Sequence, residues 1–441
     1  MRFHTSYKVE RVIVTGFLLV ILAGAFLLWL SNNFIYNMEL SLLDALFMST
    51  SAVCVTGLGV IDISKDMGFL SQLIMLLLIQ IGGLGIMTGM MLLSIAVGRR
   101  VGIKSRIFFL GGLGVDGVQG AVSLFFTVIK YTVALEADGT VLLYAGFALN
   151  GEAPLRALWL AVFHSVSAYC NAGFSPYPDG LRAFKFDVII PGVVMALIVL
   201  GGIGFPVVAD CRHALRDKTK LSVYSKLVLI LTGGLIAAGT GLFLLSDWSA
   251  ALKGMPVAAK LWNALFASVT CRTAGFDTVA PASFSGLGQA VMIVLMIIGA
   301  SPSSTGGGVK TTTFGVLAIS AWCELHMNPD TTFLHRGISY RTVRRALSII
   351  TVYMLTILVG ATVLTLLEQL PFSALLYEVA SALGTVGLTI GVTPELSAAG
   401  RLVVIVLMFW GRVGLYSFMS ILVTADGDSG IRYPNTSIPL G

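Results

Sequence analysis

The chain has 441 residues, of which 56% are hydrophobic and only 11% are charged, and its formal net charge is +6. This composition excludes an ordinary soluble protein, because a soluble chain of this length carries far more charge on its surface, and it indicates an integral membrane protein. The five cysteines show neither CxxC nor Cys/His spacing, and their odd number argues against a complete disulfide framework and against a metal or redox site.

Apolar segments long enough to cross a bilayer, about 20 residues each, recur along the whole chain. They lie near residues 12–30, 69–97, 121–148, 186–209, 222–246, 284–322, 346–367 and 402–423. The first follows Arg2, Lys8 and Arg11 as a signal peptide would, but it is long and ends without a small-residue cleavage site, so it is interpreted as the first membrane helix. The sequence therefore predicts an all-helical, multi-pass protein with eight crossings.

Lysine and arginine are concentrated near the N-terminus and in three loops. The loop residues are Arg99, Arg100, Lys104 and Arg106, then Arg212, Arg216, Lys218, Lys220 and Lys226, then Arg336, Arg341, Arg344 and Arg345. The positive-inside rule places these loops and both termini in the cytoplasm. Nucleic-acid binding by the basic runs is the alternative, but a topology signal explains them better in a membrane chain, and no nucleic-acid partner is expected.

Four short segments inside this pattern resemble one another. They read ALFMSTSAVCVTGL (45–58), AVFHSVSAYCNAGF (161–174), ALFASVTCRTAGF (264–276) and LYEVASALGTVGL (376–388), and they align on Gly57, Gly173, Gly275 and Gly387. The next apolar segment always carries a second glycine cluster: QIGGLGI (80–86), LGGIGF (200–205), STGGGV (304–309) and WGRVGL (410–415). Two features that coincide in four copies indicate an internal repeat.

Each repeat is expected to consist of a helix, a short helix, a glycine turn and a helix. The predicted boundaries are 1–105, 106–217, 218–335 and 336–425, followed by a C-terminal tail, 426–441. Short helices of about ten to twelve residues cannot cross about 30 Å of hydrocarbon at 1.5 Å per residue, so each must enter and leave on the same side. Four parallel repeats can close around one axis along the membrane normal.

The glycine turns then line a central path. Irregular backbone inside a bilayer persists only where protein or water satisfies it, and glycine lets carbonyl groups of the preceding residues point to one side. A ring of such oxygens can replace the hydration shell of a monovalent cation. The candidate ring residues are Val55, Thr56, Gly57, Asn171, Ala172, Gly173, Thr273, Ala274, Gly275, Thr385, Val386 and Gly387. The alternative is that the four glycines serve only helix packing or capping.

The third repeat differs in its second glycine cluster, GASPSSTGGGVKTTT (299–313). Proline and three successive glycines do not sustain an ordinary helix, so an unwound loop is expected below the ring, where it can act as a gate. The candidate gate residues are Ser303, Ser304, Thr305, Gly306, Gly307, Gly308 and Lys310, together with Arg412 of the fourth repeat. A passive kink is the alternative, and a phosphate-binding loop is rejected because Val309 separates Gly308 from Lys310.

An arginine at the depth predicted for Arg412 usually faces the protein interior and has a partner. We expect the carbonyls of residues 299–309 to bind Arg412, and an ion pair with Glu136 or Glu378 is the alternative. His164 is interpreted as a hydrogen-bonded packing residue. The outer aspartates Asp62, Asp179 and Asp277 either attract cations or cap turns, and they do not form a cluster suited to a divalent ion.

These motifs resemble the Trk/Ktr/HKT superfamily of potassium transporters over nearly the whole chain. The segments AVCVTGL, FHSVSAYCNAGFSPYPDGL, SVTCRTAGFDT and SALGTVGLTIGVTPELS resemble its four filter regions, GASPSSTGGGVKTTTF its intramembrane gating loop, and MFWGRVG its arginine-bearing last helix. With eight spans, the chain is more similar to the Ktr membrane subunit than to the longer Trk subunit. In the third filter region, Cys271 stands where the family commonly has proline.

The resemblance implies a potassium uptake subunit of the bacterial plasma membrane with Gly57, Gly173, Gly275 and Gly387 as filter glycines. Some plant relatives with serine at the first position favour sodium, so Gly57 points to potassium. It also implies a homodimer, in contact with membrane lipid and seated on a cytosolic ring of nucleotide-binding regulatory subunits. This chain has no nucleotide motif, so no organic cofactor is expected here.

Several functions stay open at this point. Passive or gated potassium conduction and sodium-coupled uptake, with sodium as driving or activating ion, differ in ion stoichiometry, which the sequence does not reveal. An intramembrane hydrolase would require a nucleophile with a base or a His/Glu metal pair, and the sequence suggests neither. A receptor or scaffold would not need four aligned turns.

Overall fold

The computed structural model describes the backbone of residues 2–85 and 121–414 and the side chains of residues 11–85 and 125–414. These residues form four units, each with a first helix, a short helix, a glycine-containing turn and a last helix. The first helices are Arg2–Leu30, Ala121–Leu149, Val223–Asp247 and Tyr340–Leu367; the short helices are Leu42–Val53, Pro154–Tyr169, Val257–Thr270 and Phe372–Gly384; the last helices are Phe69–Leu84, Ile189–Gly202, Gly286–Ile297 and Ala398–Val413. The predicted all-helical architecture is confirmed.

Smaller elements connect these helices. One brief helical turn follows the glycine turn of each unit: the helix Ile63–Asp66 and the 3-10 helices Arg182–Phe184, Pro281–Ser283 and Thr393–Glu395. A π-helical stretch, Ser31–Ile35, ends the first helix of the first unit, and the helices Phe205–Asp217 and Thr311–Leu325 follow the last helices of the second and third units. The strands Thr332–Phe333 and Arg336–Gly337 pair antiparallel, with Thr332 opposite Gly337.

The first helices present apolar side chains to the outside. Four segments of the described residues are long and apolar enough to cross a membrane: Arg11–Ile35, Phe125–Leu149, Val223–Asp247 and Tyr340–Leu367. Only 22% to 28% of the most apolar window of each segment is buried inside the protein. Since so many exposed apolar side chains would be unfavourable in water, this surface is suited to contact with lipid.

The short helices lie at the centre of the molecule. Ser41 caps the first of them by accepting a hydrogen bond from the Asp44 amide. Pro154 is the first residue of the second, and Pro256 and Pro371 stand directly before the third and fourth, where the missing amide hydrogen of proline costs no helical hydrogen bond. They contain 12, 16, 14 and 13 residues, slightly more than the sequence predicted. Even the longest spans only about 24 Å, less than the hydrocarbon thickness of a bilayer.

In every unit the last helix ends before the predicted apolar segment does, whereas the sequence predicted an unwound segment only in the third. Just beyond the ends of three of these helices lie Gly85, Gly204 and Gly414, whose φ angles are 82°, 93° and 91°, and in the third unit residues 298–310 are not helical. In the second unit the chain bends by 96° between Ile189–Gly202 and Phe205–Asp217. The predicted span 186–209 is therefore not one straight helix, because positive φ at glycine ends an α-helix. In the third unit the non-helical residues 298–310 overlap the segment 299–313, where the sequence predicted an unwound loop.

The second glycine clusters also allow close packing of the last helix against the end of the short helix. A methyl group built on Gly82, Gly201 or Gly411 would lie 2.1, 2.0 or 2.1 Å from a carbonyl oxygen of the short helix in the same unit. Those oxygens belong to Val53, Tyr169 and Leu383. A side chain at these glycines would push the two helices apart, so the glycines fix the position of each turn.

Some sequence predictions lie outside the described residues. These are the basic cluster 99–106, the repeat boundaries at residues 105/106 and 425/426, the far ends of spans 69–97 and 402–423, and the tail 426–441. The other two repeat boundaries, at residues 217/218 and 335/336, fall after the helix Phe205–Asp217 and between the two strands. All of the boundaries stay predictions.

Candidate cation-binding site

The four aligned glycines form a closed ring around one axis. A methyl group built on Gly57 would lie 2.6 Å from the carbonyl oxygen of Ala172, and one built on Gly173 would lie 2.7 Å from that of Ala274. In the same way, Gly275 faces the Val386 oxygen at 2.4 Å, and Gly387 faces the Thr56 oxygen at 2.1 Å. Each ring glycine therefore faces a carbonyl oxygen of the next unit along the chain, and the glycine of the fourth unit faces the first unit, which closes the ring.

Each turn of the ring has the same backbone conformation. The glycines have φ angles of 97°, 71°, 79° and 90°, and the residues two positions earlier, Val55, Asn171, Thr273 and Thr385, also have positive φ, at 54°, 58°, 70° and 49°. Positive φ at a non-glycine residue costs roughly 1–3 kcal/mol, and it is least expected for β-branched Val and Thr. Such a conformation in all four units requires surroundings that impose it.

Hydroxyl groups of the short helices supply part of this constraint. The amides of Gly57 and Gly387 each donate to a serine hydroxyl, of Ser51 and Ser381, over 3.1 Å. In the other two units the hydroxyl donates instead, from Ser167 to the Phe174 carbonyl at 2.9 Å and from Thr270 to the Phe276 carbonyl at 2.6 Å.

The sequence analysis missed these four hydroxyl residues. Their signal is a serine six positions before the glycine in three units and a threonine five positions before it in the third. The backbone carbonyl of the same residue also accepts the amide of the residue before the glycine, for example from Thr56 to Ser51 at 2.8 Å and from Val386 to Ser381 at 2.8 Å. Ser51 and Ser381 thus each hold two consecutive peptide groups of the turn, whereas Ser167 and Thr270 each hold one peptide group before the glycine and one after it.

The electrostatic character of the ring favours a cation. The short helices end directly before the turns, and the C-terminal end of a helix carries partial negative charge. The hydroxyl oxygens of Thr56 and Thr385 are buried and have no hydrogen-bond partner among residues 11–85 and 125–414. The Asn171 amide is satisfied when its nitrogen donates to the carbonyls of Ala168 at 3.0 Å and Ile198 at 3.2 Å, and its oxygen then lies 3.4 Å from the Thr273 hydroxyl.

A cavity of about 320 Å³ opens on one side of the ring; we call it the vestibule. Its walls include the four ring glycines and the charged residues Asp62, Asp179, Asp277 and Arg182. Asp62 caps the short helix Ile63–Asp66 through the Ser64 amide at 2.9 Å. Asp277 accepts two hydrogen bonds from Arg182; burial raises the pKa of the Asp277 carboxyl, and the Arg182 guanidinium opposes that rise.

The loop of residues 298–310 covers the other side of the ring. A methyl group on Gly306 would lie 2.2 Å from the Thr273 hydroxyl oxygen, and one on Gly307 would lie 2.2 Å from that of Thr385. The loop is held to the second unit, because the Thr305 hydroxyl donates to the Tyr169 carbonyl at 3.0 Å. The two glycines therefore lie in direct contact with the residues that begin two of the ring turns.

Arg412 connects this loop to two other units. Its guanidinium donates to the carbonyl of Thr305 in the loop, to that of Gly82 in the first unit, and to that of Gly83 at 3.3 Å. Contact with a carbonyl of the loop is the arrangement that the sequence analysis expected. Glu136 and Glu378 have other contacts, with Gln80 at 3.3 Å and with two threonines.

The remaining predicted gate residues lie in the same loop. The Ser303 carbonyl accepts from the Phe205 amide at 2.9 Å, the Ser304 hydroxyl donates to the Ser301 carbonyl at 2.6 Å, and the Lys310 ammonium donates to the Gly306 carbonyl at 2.8 Å. Gly308 has a φ of 69° and packs against Gly299. Lys310 thus folds back onto the loop.

Two buried polar side chains support the vestibule side of the ring. Glu378 accepts hydrogen bonds from the hydroxyls of Thr389 and, at 2.7 Å, Thr393. His164 contacts the Leu160 carbonyl and the Ser175 hydroxyl, both at 2.8 Å.

Cys271 is fully buried at the end of its short helix, and its amide donates to the Ala267 carbonyl at 3.2 Å. The turn is therefore in place although cysteine stands where the family commonly has proline.

Comparison with known proteins gives matches over almost the entire chain. The family model described as "TrkH: Cation transport protein" matches residues 5–427. The Ktr system potassium uptake protein B of Bacillus subtilis is 35% identical over 436 residues, which cover 98% of this chain and 96% of the relative. The potassium/sodium uptake protein NtpJ of Enterococcus hirae is 36% identical over 439 residues, covering 98% and 97%.

A solved structure has the same fold. The crystal structure of the potassium transporter TrkH from Vibrio parahaemolyticus superposes with a TM-score of 0.74 at 21% sequence identity, over 94% of this chain and 84% of the other. At this identity the similarity establishes the architecture, while the family is established by the matches in sequence.

Proposed function

Because the chain belongs to the TrkH family of cation transport proteins, we propose that it takes up potassium ions across the cell membrane along the axis of the glycine ring. One observation carries this proposal: the backbone carbonyl oxygens of four units alternate with the four glycines in a closed ring. Oxygens of backbone dipoles suit a monovalent cation, which must be bound well enough to lose its water and weakly enough to leave.

The potassium ligands in this proposal are the turns 55–57, 171–173, 273–275 and 385–387. Their carbonyl groups bind the ion as it passes, and potassium is the cargo of the protein. The unpaired hydroxyl of Thr385 and the amide oxygen of Asn171 extend the path of oxygens towards the loop. In the unfolded chain these oxygens accept hydrogen bonds from water, and folding removes that water. A cation that binds them replaces the lost interaction.

The loop of residues 298–310 is the gate in this proposal. Gly306 and Gly307 touch Thr273 and Thr385, so an ion leaving the ring on this side meets the loop before it meets solvent. Arg412 holds the loop through the Thr305 carbonyl and places a positive charge beside the cation path. Opening then requires these hydrogen bonds to break or to move together with the loop.

The assembly and the orientation are inferred from the family and the charges. We propose a homodimer that works with a cytosolic ring of nucleotide-binding subunits, as the Ktr resemblance implies. The vestibule faces the outside and both termini face the cytoplasm, because the loops richest in Lys and Arg are then cytoplasmic. The apolar outer faces of the first helices contact membrane lipid.

Sodium is the second candidate ion, either as a coupled ion or as an activator. The relative from Enterococcus hirae is named as a potassium/sodium uptake protein. Glycine at position 57 favours potassium, because a ring with glycine in all four units keeps the carbonyl oxygens evenly spaced.

Ion flux into lipid vesicles that contain the purified protein tests the proposal. Potassium flux above that of empty vesicles, with a smaller sodium flux, is expected, and addition of the cytosolic subunit with its nucleotide should change the rate. A potassium flux that needs a fixed sodium gradient would instead support coupling. Absence of flux for both ions, with and without the subunit, contradicts the proposed function.

A further inference from the structure

The vestibule contains a positive charge where a path for cations would not be expected to have one. Arg182 lies in the 3-10 helix Arg182–Phe184 of the second unit, and its side chain is 43% exposed. Its Nε and Nη2 atoms donate over 2.9 and 2.6 Å to a single oxygen, Oδ2, of Asp277. Asp277 follows the ring glycine Gly275 by two residues, and its side chain is only 18% exposed.

Both members of this pair belong to the wall of the vestibule. The same cavity is lined by the ring glycines, so an ion that approaches the ring passes the pair at close range. The other charged groups of the wall are Asp62 and Asp179, and Asp62 has Lys65 as a neighbour at 3.3 Å. Arg182 thus neutralises one of three carboxylates at the entrance.

We propose that Arg182 determines the affinity for the transported cation: its guanidinium acts as a tethered cation that occupies the outer face of Asp277 and thereby weakens capture of potassium from solution. The proposal rests on the proposed function, because it assigns the vestibule to the side from which potassium enters. A largely buried carboxylate beside the ring would otherwise attract the incoming ion more strongly than an exposed one, since water screens it less.

The competing explanation is purely structural. In that case the ion pair fastens the loop of the second unit to the turn of the third and has no effect through its charge. The two explanations differ in sign. A charge effect moves the potassium affinity in opposite directions when the cation or the anion is removed, whereas loss of a fastening impairs the ring in both cases.

The test compares three variants: Arg182→Gln, Asp277→Asn and the double variant. Potassium uptake into right-side-out membrane vesicles is measured as KM and maximal rate at low and at high ionic strength. Arg182→Gln should lower KM by about two- to five-fold and Asp277→Asn should raise it by a similar factor, because one unit of charge at the mouth is changed in each. The double variant should have a KM between those of the single variants.

Measurements at two ionic strengths and a matched control variant distinguish an effect of charge on KM from a structural effect of the substitution. The differences in KM between the variants should be smaller at about 1 M salt, where the screening length is about 3 Å, than at about 0.01 M salt. Lys185→Gln removes a positive charge from the same loop, at a side chain that faces Phe186 at 5.2 Å and is not part of the vestibule wall. Its KM should stay within the error of the unaltered protein.

Two results would overturn the proposal: a KM that rises in both single variants, or KM changes that do not depend on salt. Failure of the proposed function is recognised separately, because the unaltered protein would then take up no potassium. In that event the potassium-induced rise in melting temperature of the detergent-solubilised variants still orders their affinities. An order other than Arg182→Gln, then double variant, then Asp277→Asn rejects the role of Arg182.

Discussion

Arg412, in the last helix of the fourth unit, donates a hydrogen bond to the carbonyl oxygen of Thr305 in the loop of the third unit. The same guanidinium reaches the Gly82 carbonyl of the first unit, and Thr305 itself is bonded to Tyr169 of the second. All four units are therefore joined at one place, on the side of the ring that the loop covers. A change at this point should affect how easily the loop leaves the path.

Arg412→Ala should raise potassium flux through the purified protein several-fold, because the loop loses its bond to the fourth unit. Flux into vesicles, with the melting temperature as a check on folding, measures this. The matched control is Arg401→Ala in the same helix, which removes the ion pair with Asp44 at the opposite end. Equal flux in the two variants, or loss of folding in the Arg412 variant alone, would speak for a structural role of Arg412.

Shortening the loop within residues 303–309 should also raise flux, because Gly306 and Gly307 would no longer cover Thr273 and Thr385. Flux without the cytosolic subunit is the relevant measurement, since any regulation from that subunit is then absent. Gly234→Ala is a control for the effect of altering a helix at an open site, as a methyl group there meets no atom within 4 Å. A decrease or no change in flux would count against the assignment of the loop as gate.

Gly57→Ser should reduce the preference for potassium over sodium. The glycine has a φ of 97°, and any Cβ there would lie 2.6 Å from the Ala172 carbonyl oxygen, so the ring must shift at one of its four contacts. The ratio of potassium to sodium flux is measured under matched gradients. Gly241→Ser, at an open position of a first helix, should leave the ratio unchanged; an unchanged ratio in Gly57→Ser as well would contradict the filter assignment.

Ser381→Ala should lower both stability and selectivity, because the Gly387 amide loses its hydroxyl partner. Loss of one such hydrogen bond costs about 1 kcal/mol, and the strained φ of Thr385 loses part of its support. Ser381→Thr should restore selectivity, since threonine keeps a hydroxyl at this position that can accept from the Gly387 amide. If alanine and threonine behave alike, the hydroxyl is not what holds this turn.

The sequence by itself determined the four units, their order of helices, the ring glycines and the membrane environment. These features depend on local properties: apolar length, the spacing of glycines and the inability of a short helix to cross a bilayer. The sequence also suggested the interrupted segment of the third unit, because Pro302 and Gly306 to Gly308 stand together there.

Tertiary structure alone decided which atoms meet. The helix ends beside Gly85, Gly204 and Gly414 could not be read from the sequence, because a glycine cluster inside an apolar segment is also compatible with a continuous helix. Likewise, the pair of Arg182 and Asp277 joins residues that are 95 positions apart. Such contacts arise from closure of the four units around one axis, which no property of a single segment specifies.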